Sequence, residues 1–227
     1  MSPRSITPTT SRTAPMSQPL AVMSDVHGNL PALEGVLSEL ARRAVVDIFV
    51  TGDLILGGEQ PLETWKRLQS VGARCLLGPS DLALARVDAR TLRANDPAEA
   101  DKVARFSATQ RALGELVQKR LSQLPRQLRI PMIDGREILL VHGSPKDPFE
   151  TISHDMDEDE LRAMLEDDPA DMVVCGGTHV PFTRLLDEVQ IINVGSVGES
   201  PEGRVAHYTI INPRMDGAEF EQTWVEY

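Results

Sequence analysis

The hydrophobic pattern divides the chain into short apolar runs that end in polar, glycine-containing turns. The first run, Leu20–Met23, has no polar face and precedes a turn that contains Asp25 and His27. A run of this length without a polar side predicts a buried strand. Apolar residues then recur at helical spacing from Pro31, and proline suits the first turn of a helix. The pattern therefore predicts a strand, a polar turn and a helix in succession.

The same arrangement occurs twice more along the first third of the chain. Residues 45–50 predict a second strand, which ends just before Asp53, and residues 73–77 predict a third, which ends in the turn 78–81. Helical spacing returns at 62–69. Three such repeats in succession indicate an α/β fold with largely parallel neighbouring strands. Ligands in such folds gather at the carboxyl ends of the strands, which is where all three polar turns lie.

Residues 88–123 differ in character, because they are charged and helical in pattern, with stretches at 98–106 and 108–121. They predict a helical excursion on one side of the crevice. Strands are expected next at 128–133 and 137–141, joined by Asp134-Gly135, a dipeptide typical of hairpins. Further strands are predicted at 171–174, 189–194, 205–211 and 219–225, and a helix with an acidic start is predicted at 157–166.

Composition and charge limit the possible functions. The formal net charge of −11 disfavours broad binding to nucleic acid or to an anionic membrane, since both need a basic surface. No apolar stretch approaches the length of a membrane span. The cysteines, Cys75 and Cys175, each end an apolar run, as expected for buried thiols in a reducing cytoplasm. A small phosphorylated substrate stays possible, because a bound metal can supply positive charge locally.

The chain is expected to form a single domain at residues 20–227, with 88–123 as an excursion from it. Residues 1–19 are rich in Ser, Thr and Pro and nearly lack large apolar residues. Such a segment buries too little surface to offset its ordering entropy, which predicts a flexible N-terminal tail. A homodimer is the general expectation for an oligomer, since closed twofold assemblies are the commonest.

Candidate metal ligands collect at the ends of the predicted strands. Three of the five histidines, His27, His142 and His179, follow an apolar strand and stand close to a glycine. A histidine in a core would show no preference for such turns, whereas glycine lets the backbone pass close to an ion or a phosphate. Asp25 and Asp53 occupy comparable turns. Carboxylate and imidazole together indicate a transition metal rather than calcium.

Five motifs, in this order, resemble those of the calcineurin-like metallophosphoesterases. They are Asp25-Val26-His27, Gly52-Asp53, Gly78-Pro79-Ser80-Asp81, His142-Gly143 and Gly176-Gly177-Thr178-His179. Gly28-Asn29 and the run 193–198 are similar to the small bacterial and archaeal phosphodiesterase branch of that family. The resemblance implies a four-layer α-β-β-α sandwich with two metal ions at its carboxyl edge. It also implies hydrolysis of a small phosphodiester or phosphomonoester by a metal-activated water.

Carried over by matching position, the resemblance implies a role for each motif residue. Asp25, His27 and His179 would hold the first metal, Asp53 would bridge the two metals, and His142 would bind the second. Asp53 and His142 are accordingly the implied catalytic residues. Manganese is the first expectation for the metal, with iron, zinc or nickel as alternatives. Candidates for substrate contact or for support of the ligands are Asn29, Ser80, Asp81, Ser144 and Asn193; for Ser80 and Asp81, helix capping explains the residues equally well.

Two positions depart from the family pattern, both at the second metal. Pro79 stands where the family has an asparagine ligand, and Gly177 stands where it has a histidine. Neither side chain can ligate, which leaves Asp53 and His142 and predicts one tight site with a second that is weak or absent. The alternative to a phosphoesterase is therefore a degenerate member that binds a metal or a phosphorylated ligand as a sensor or partner protein. A purely structural sandwich without metal is disfavoured by the intact first set of ligands.

Overall fold

A computed structural model describes residues 14–165 and 170–227 of the chain. The helices are α1 (Leu30–Arg42), α2 (Pro61–Ser70), α3 (Pro79–Arg86), α4 (Pro97–Leu121) and α5 (Glu158–Leu165). The strands are β1 (Leu20–Met23), β2 (Asp47–Val50), β3 (Arg74–Cys75), β4 (Gln127–Pro131), β5 (Glu137–Val141), β6 (Met172–Cys175), β7 (Phe182–Leu186), β8 (Val189–Asn193), β9 (Val205–Asn212) and β10 (Glu219–Glu226). Within the described residues, no helix combines the length and the apolar character needed to cross a membrane.

The strands form two mixed sheets of five strands each. The first sheet has the order β10-β9-β1-β2-β3, in which β1, β2 and β3 are parallel. The second has the order β4-β5-β6-β8-β7, in which β5, β6 and β8 are parallel. The turns that leave β1, β2, β5 and β6 therefore lie at the carboxyl edges of the two sheets. The predicted parallel repeats and the predicted Asp-Gly hairpin between β4 and β5 are confirmed.

Alternation along β1 shows how the layers are packed. Leu20 and Val22 belong to a buried cluster that also contains Ile138 and Leu140 of the second sheet. Ala21 and Met23 point the other way, into a cluster that includes the apolar faces of α1, α2 and α4. Helix α5 covers the outer face of the second sheet through a third buried cluster. The order of layers is thus helix, sheet, sheet, helix, and the predicted four-layer α/β sandwich is confirmed.

The helical excursion differs in detail from its prediction. Two helical stretches were expected, with a break near Ser107, but the helix passes through Ser107, whose Oγ donates to the Val103 carbonyl at 2.8 Å. The break lies instead at Gly114, with φ 70° and ψ 167°. Glycine adopts this left-handed backbone without the clash that a Cβ would cause. The predicted position of the break was therefore wrong by about two helical turns.

Two short elements were not predicted from the sequence. Helix α3 has eight residues and follows β3 directly, so the turn 78–81 is also the start of a helix. Strand β7 has only five residues and pairs with β8 in antiparallel register. Short elements without a clear apolar period escape pattern-based prediction.

The described residues leave out part of the predicted tail and the predicted last residue of α5. Residues 1–13 of the tail lie outside them, as does Glu166, the predicted last residue of α5. Met16, which lies within the predicted tail, forms a parallel bridge with Met132. Its N–H donates to the Pro131 carbonyl at 2.8 Å. The part of the tail nearest the domain is therefore paired with the second sheet.

The two thiols lie in the interior. Cys75 and Cys175 are free and buried, as the sequence predicts. Burial raises the pKa of each thiol to about 12, because a thiolate would lose its hydration in the apolar interior. Neither cysteine is therefore a reactive nucleophile at neutral pH.

Candidate metal centre

Five side chains from four turns converge at the carboxyl edges of the sheets. They form two groups of possible metal ligands that share Asp25: Asp25 with His27 and His179, and Asp25 with Asp53 and His142. Within each group the ligand atoms all lie within 4.8 Å of one another. The structure thus brings together all five residues for which the sequence predicts a metal-binding role. It makes Asp25 common to both groups, while the bridging role of Asp53 stays a prediction.

The first group has the geometry expected around a cation. The Nε2 atoms of His27 and His179 lie 3.2 Å apart, and Asp25 Oδ1 lies 3.3 Å from His179 Nε2. Asp25 Oδ1 is buried and has no hydrogen-bond partner. His27 Nδ1 donates to the Leu56 carbonyl at 2.7 Å, so the lone pair of the neutral ring is directed into the group. Two facing lone pairs beside an unpartnered carboxylate oxygen fit a divalent metal.

The second group is arranged around Asp53. His142 Nε2 lies 3.8 Å from Asp53 Oδ2, and His142 Nδ1 is buried without a hydrogen-bond partner. Asp53 Oδ1 accepts from the Ser80 N–H at 2.9 Å and from Ser80 Oγ at 2.8 Å. Those bonds orient the carboxylate and leave Oδ2 toward His142. One carboxylate and one imidazole thus face each other here, supplemented by the shared Asp25.

Pro79 and Gly177, the two positions where the sequence predicts that ligands are missing, have different surroundings in the structure. A Cβ placed on Gly177 would lie 2.4 Å from Thr151 Cγ2 and 3.2 Å from His142 Nε2. The methyl group of Thr151 therefore occupies the space that a side chain at position 177 would need. Pro79 is exposed at the first turn of α3, where proline is a favourable residue. Neither position supplies a ligand atom to the second group.

The backbone at the ligand turns is unusual. Asp25, His27, Asp53 and His179 have φ values of 54°, 49°, 53° and 62°, and only two other described non-glycine residues have positive φ. Such a conformation costs about 1–3 kcal/mol per residue and persists where the surroundings hold it. The His27 N–H donates to the Asp53 carbonyl at 3.0 Å, and the Asp25 N–H donates to Gly52. These bonds tie the first two ligand turns together.

The charges in the first group stabilise one another. Burial disfavours the charged form of Asp25, but contacts with His179 and His27 outweigh it and lower the pKa of Asp25 below its usual range. Burial likewise opposes protonation of His27, yet Asp25 and Glu199 raise its pKa to about 9. Asp25 also raises the pKa of His179. In the metal-free protein, protons are therefore held where a cation would bind.

Ser80 and Asp81 act on the second group in different ways. Ser80 contacts the carboxylate of Asp53 directly, as described above. Asp81 is fully buried and accepts from the N–H groups of Leu54 and Gly78 at 3.0 and 3.1 Å. Burial, together with the nearby charge of Asp53, raises the pKa of the Asp81 carboxyl. Asp81 therefore caps α3 and fixes the residue that follows Asp53, and it belongs to neither group of ligand atoms.

Asn193 supports the loop that carries His179. Its Nδ2 donates to the Gly176 carbonyl at 2.9 Å and to Thr178 Oγ1 at 3.0 Å, while its Oδ1 accepts from the Gly195 N–H. The side chain is fully buried. Asn193 is thus a positioning residue for the loop.

Asn29 and Ser144 hold neighbouring turns in place. Asn29 Oδ1 accepts from the Ala32 N–H at the start of α1, and its Nδ2 donates to the Gly198 carbonyl. Ser144 Oγ donates to the Asp147 carbonyl at 3.2 Å. Both side chains are engaged with the backbone, so the contacts favour support of the turns over contact with substrate.

Glu199 is a residue of the site that sequence reasoning missed. Its Oε2 lies 3.8 Å from His27 Nε2, and its N–H donates to Ser196 Oγ, which in turn donates to the Asp25 carbonyl. The residue directly follows the glycine run 193–198. The two glycines of that run indicate a close approach of the backbone. The residue that follows the run was therefore a candidate that the sequence could have identified.

The raised pKa of His27 predicts a pH-dependent metal effect on stability. A pKa raised from 6.5 to about 9 stabilises the metal-free fold fully below pH 6.5, and this stabilisation is lost as the pH rises through about 9. Metal binding needs the neutral imidazole and therefore strengthens over the same range. We expect the increase in melting temperature caused by saturating manganese to grow from pH 6.5 to pH 9, measured by thermal denaturation.

Two variants separate this effect from a general dependence on pH. His27→Gln should lose most of the pH-dependent increase. His207→Gln should retain it, because His207 lies on β9 beside Glu202 and outside both groups. A manganese effect that stays constant across the range would contradict the assignment of His27.

The family model for the calcineurin-like phosphoesterase superfamily domain matches residues 19–215. The chain therefore belongs to the calcineurin-like phosphoesterase superfamily. An uncharacterised protein of Methanocaldococcus jannaschii is 26% identical over 218 residues, covering 86% of this chain and 83% of that protein.

Solved structures agree with the fold. A metallophosphoesterase from Sphaerobacter thermophilus superposes with a TM-score of 0.72 at 26% identity, covering 93% of this chain and 89% of that one. A hypothetical protein from Pyrococcus horikoshii superposes with a TM-score of 0.76 at 23% identity, covering 92% and 88%. The two groups of aspartate and histidine ligands described above lie within this fold, as is typical of metallophosphoesterases.

Proposed function

We propose that this protein is a metal-dependent hydrolase of a small phosphodiester or phosphomonoester. The observation that carries the proposal is the pair of Nε2 atoms of His27 and His179, which face each other at 3.2 Å beside the unpartnered Oδ1 of Asp25. Membership of the phosphoesterase superfamily supports the proposal, as does the similarity to a solved metallophosphoesterase.

The two groups of ligands would have different roles in hydrolysis. Divalent ions bound there would lower the pKa of water, neutralise charge on the phosphoryl oxygens and so favour attack on phosphorus. Asp25, His27 and His179 would hold the ion of the first group, and the hydrogen bond from His27 to Leu56 keeps that ring in the ligating tautomer. Ser80 orients Asp53, and His142 lies opposite with Nε2 toward it.

We propose further that the two metals bind with unequal affinity. The first group offers one carboxylate and two imidazoles, which matches the minimum that catalytic sites of borderline metals use. Asp53 and His142 alone remain specific to the second group, because Pro79 and Gly177 provide no ligand atom. The second ion would be exchangeable and would depend on water and substrate oxygens. Manganese is the metal proposed first, with iron, zinc or nickel as alternatives.

The test is hydrolysis of 4-nitrophenyl phosphate and of bis(4-nitrophenyl) phosphate by protein stripped of metal and then reloaded. We expect turnover that needs a divalent metal, is stimulated by manganese, and falls by about a hundredfold or more in Asp53→Asn, since ligand loss should exceed the 10–100-fold cost of losing an outer partner. Asp171→Asn, which changes an exposed aspartate outside both groups, serves as the matched control. Absence of turnover with every divalent metal would exclude the proposal.

A second candidate is favoured by the contact at Gly177. Because Thr151 fills the space beside His142, the chain could bind metal or a phosphorylated ligand without hydrolysis, as a sensor or partner protein. This candidate predicts one tightly bound metal per chain and ligand-dependent thermal stabilisation without product. Tight binding of two metals would count against it. The homodimer and the cytoplasmic location expected from the sequence stay predictions.

A further inference from the structure

We infer that Glu199 is a further ligand of the metal ion in the first group, where it adds a second carboxylate to that of Asp25. This inference rests on the proposed function only in that an ion binds the first group, and it does not depend on hydrolysis. Three features support it: the approach of the carboxylate to His27, the space that Gly57 leaves for it, and the attachment of its backbone to a ligand turn.

The carboxylate of Glu199 faces the first group. Its Oε2 lies 3.8 Å from His27 Nε2, close to the 3.7 Å that separates the same nitrogen from Asp25 Oδ1. Atoms that bind one ion at about 2 Å lie about 3–4 Å from one another, so both oxygens are at a distance suited to an ion shared with His27. Among the described residues, Glu199 is the one carboxylate outside both groups that forms an ion-pair contact with a histidine of the first group.

A glycine creates the space for this carboxylate. A Cβ on Gly57 would lie 2.6 Å from Glu199 Oε1 and 3.2 Å from His27 Cβ. Gly57 also has φ 137°, a backbone conformation that a side chain would strain. Any other residue at position 57 would therefore displace the carboxylate from its place beside His27.

The backbone at Glu199 is fixed to the turn that carries Asp25. The Gly198 N–H donates to the Asp25 carbonyl at 2.9 Å. Ser196 Oγ donates to the same carbonyl at 2.8 Å and accepts from the Glu199 N–H. A Cβ on Gly198 would collide with the Val26 carbonyl, so this close approach requires glycine. The backbone is thus held against the first group, while the side chain, which is 47% exposed, can rotate toward an ion.

A second carboxylate changes the charge and the metal preference of the first group. One carboxylate offsets only half the charge of a divalent ion, and Asp25 and His27 are buried, where a charge left unbalanced is costly. Two carboxylates with two imidazoles would balance the ion. Carboxylate oxygens suit manganese, whereas imidazoles suit zinc. Glu199 would therefore shift the preference of the first group toward manganese.

The test is the binding of manganese and of zinc to metal-stripped protein, measured by calorimetric titration. In Glu199→Gln, which preserves the size of the side chain, we expect the manganese affinity of the tight site to fall by about tenfold or more, since loss of a partner outside the ligand set already has an effect of this size. Zinc affinity should fall less. The visible spectrum of the cobalt-loaded protein should also change, because it depends on the atoms bound directly to the ion.

Glu202→Gln is the matched control. Glu202 lies in the same loop, and its carboxylate contacts His207 rather than a residue of either group. This variant removes the same charge and should keep the manganese affinity within about twofold at physiological ionic strength, with the cobalt spectrum of the wild type. Equal manganese affinity in the two variants, or a fall in Glu199→Gln without a change in the cobalt spectrum, would overturn the assignment of Glu199 as a ligand.

Metal binding and hydrolysis separate this inference from the proposed function. If no phosphoester is hydrolysed, but Glu199→Gln weakens manganese binding and changes the cobalt spectrum, the assignment of Glu199 holds and the proposed function fails. If the wild type hydrolyses 4-nitrophenyl phosphate, but Glu199→Gln keeps the manganese affinity and the cobalt spectrum, the assignment fails and the proposed function holds. Absence of both metal binding and hydrolysis excludes both.

Discussion

Asp25→Asn should abolish tight metal binding and reduce metal-dependent phosphoester hydrolysis to near background. Asp25 is the only residue shared by both groups of ligand atoms among the described residues, and its charge sustains the raised pKa values of His27 and His179. We expect a loss of metal affinity of about a hundredfold or more, since loss of a partner outside the ligand set already costs 10–100-fold. Calorimetric titration with manganese and a metal count after gel filtration measure it.

The backbone should tolerate this substitution. Asp25 has φ 54°, and asparagine is one of the residues that accept the left-handed region. The asparagine oxygen can still accept the Gly177 N–H that now reaches Asp25 Oδ2 at 2.9 Å. Asp187→Asn is a close control, because Asp187 has φ 52° and lies outside both groups. Equal metal affinity in Asp25→Asn and Asp187→Asn would show that Asp25 does not ligate.

The second large effect is expected from placing side chains that can coordinate a metal at positions 79 and 177. Combining Pro79→Asn, Gly177→His and Thr151→Ala should raise the number of tightly bound metals from about one to about two per chain, because positions 79 and 177 would then carry side chains that can coordinate a metal. If the second metal limits hydrolysis, turnover should rise by about tenfold or more. Thr151→Ala is needed because a Cβ at position 177 would approach Thr151 Cγ2 to 2.4 Å. Elemental analysis and steady-state kinetics provide the readouts.

Two comparisons make the rebuilding experiment decisive. Gly177→His without the change at Thr151 should lower the melting temperature and add little metal, since the two side chains would overlap. Pro79→Asn with Gly177→Ala and Thr151→Ala makes similar changes to the backbone without the imidazole, and it should bind no more metal than Pro79→Asn alone. If the rebuilt variant still binds one metal, the residues at positions 79 and 177 do not account for weak metal binding by the second group.

The fold and the ligand set could be predicted largely because their signals are local. Leu20–Met23 is an uninterrupted apolar run, residues 45–50 are apolar apart from Asp47, and each run is followed by a turn with a carboxylate. Parallel strands bring such ends to one edge, so Asp25 and Asp53 had to lie close together. His142 and His179 follow the same pattern in the second sheet. The structure places all of them within the two groups.

What the sequence could not predict depends on contacts between distant segments. The filling of the space at Gly177 by Thr151 joins two loops that are 26 residues apart in the chain, and no local pattern specifies their distance. The approach of Glu199 to His27 depends in the same way on the packing of the C-terminal strands. The break at Gly114 was missed because a glycine within a helical pattern is often tolerated, and only the backbone angles show that the helix is interrupted there.

The left-handed backbone of the ligand turns also limits how such a centre changes during evolution. Aspartate, asparagine, histidine and glycine are the residues that this conformation accepts most readily. A ligand can therefore be exchanged for asparagine or glycine while the path of the main chain stays the same. Gly177, at φ 81°, occupies such a position beside intact ligand turns. The path of the main chain at such a turn can thus stay the same whether or not its side chain coordinates a metal.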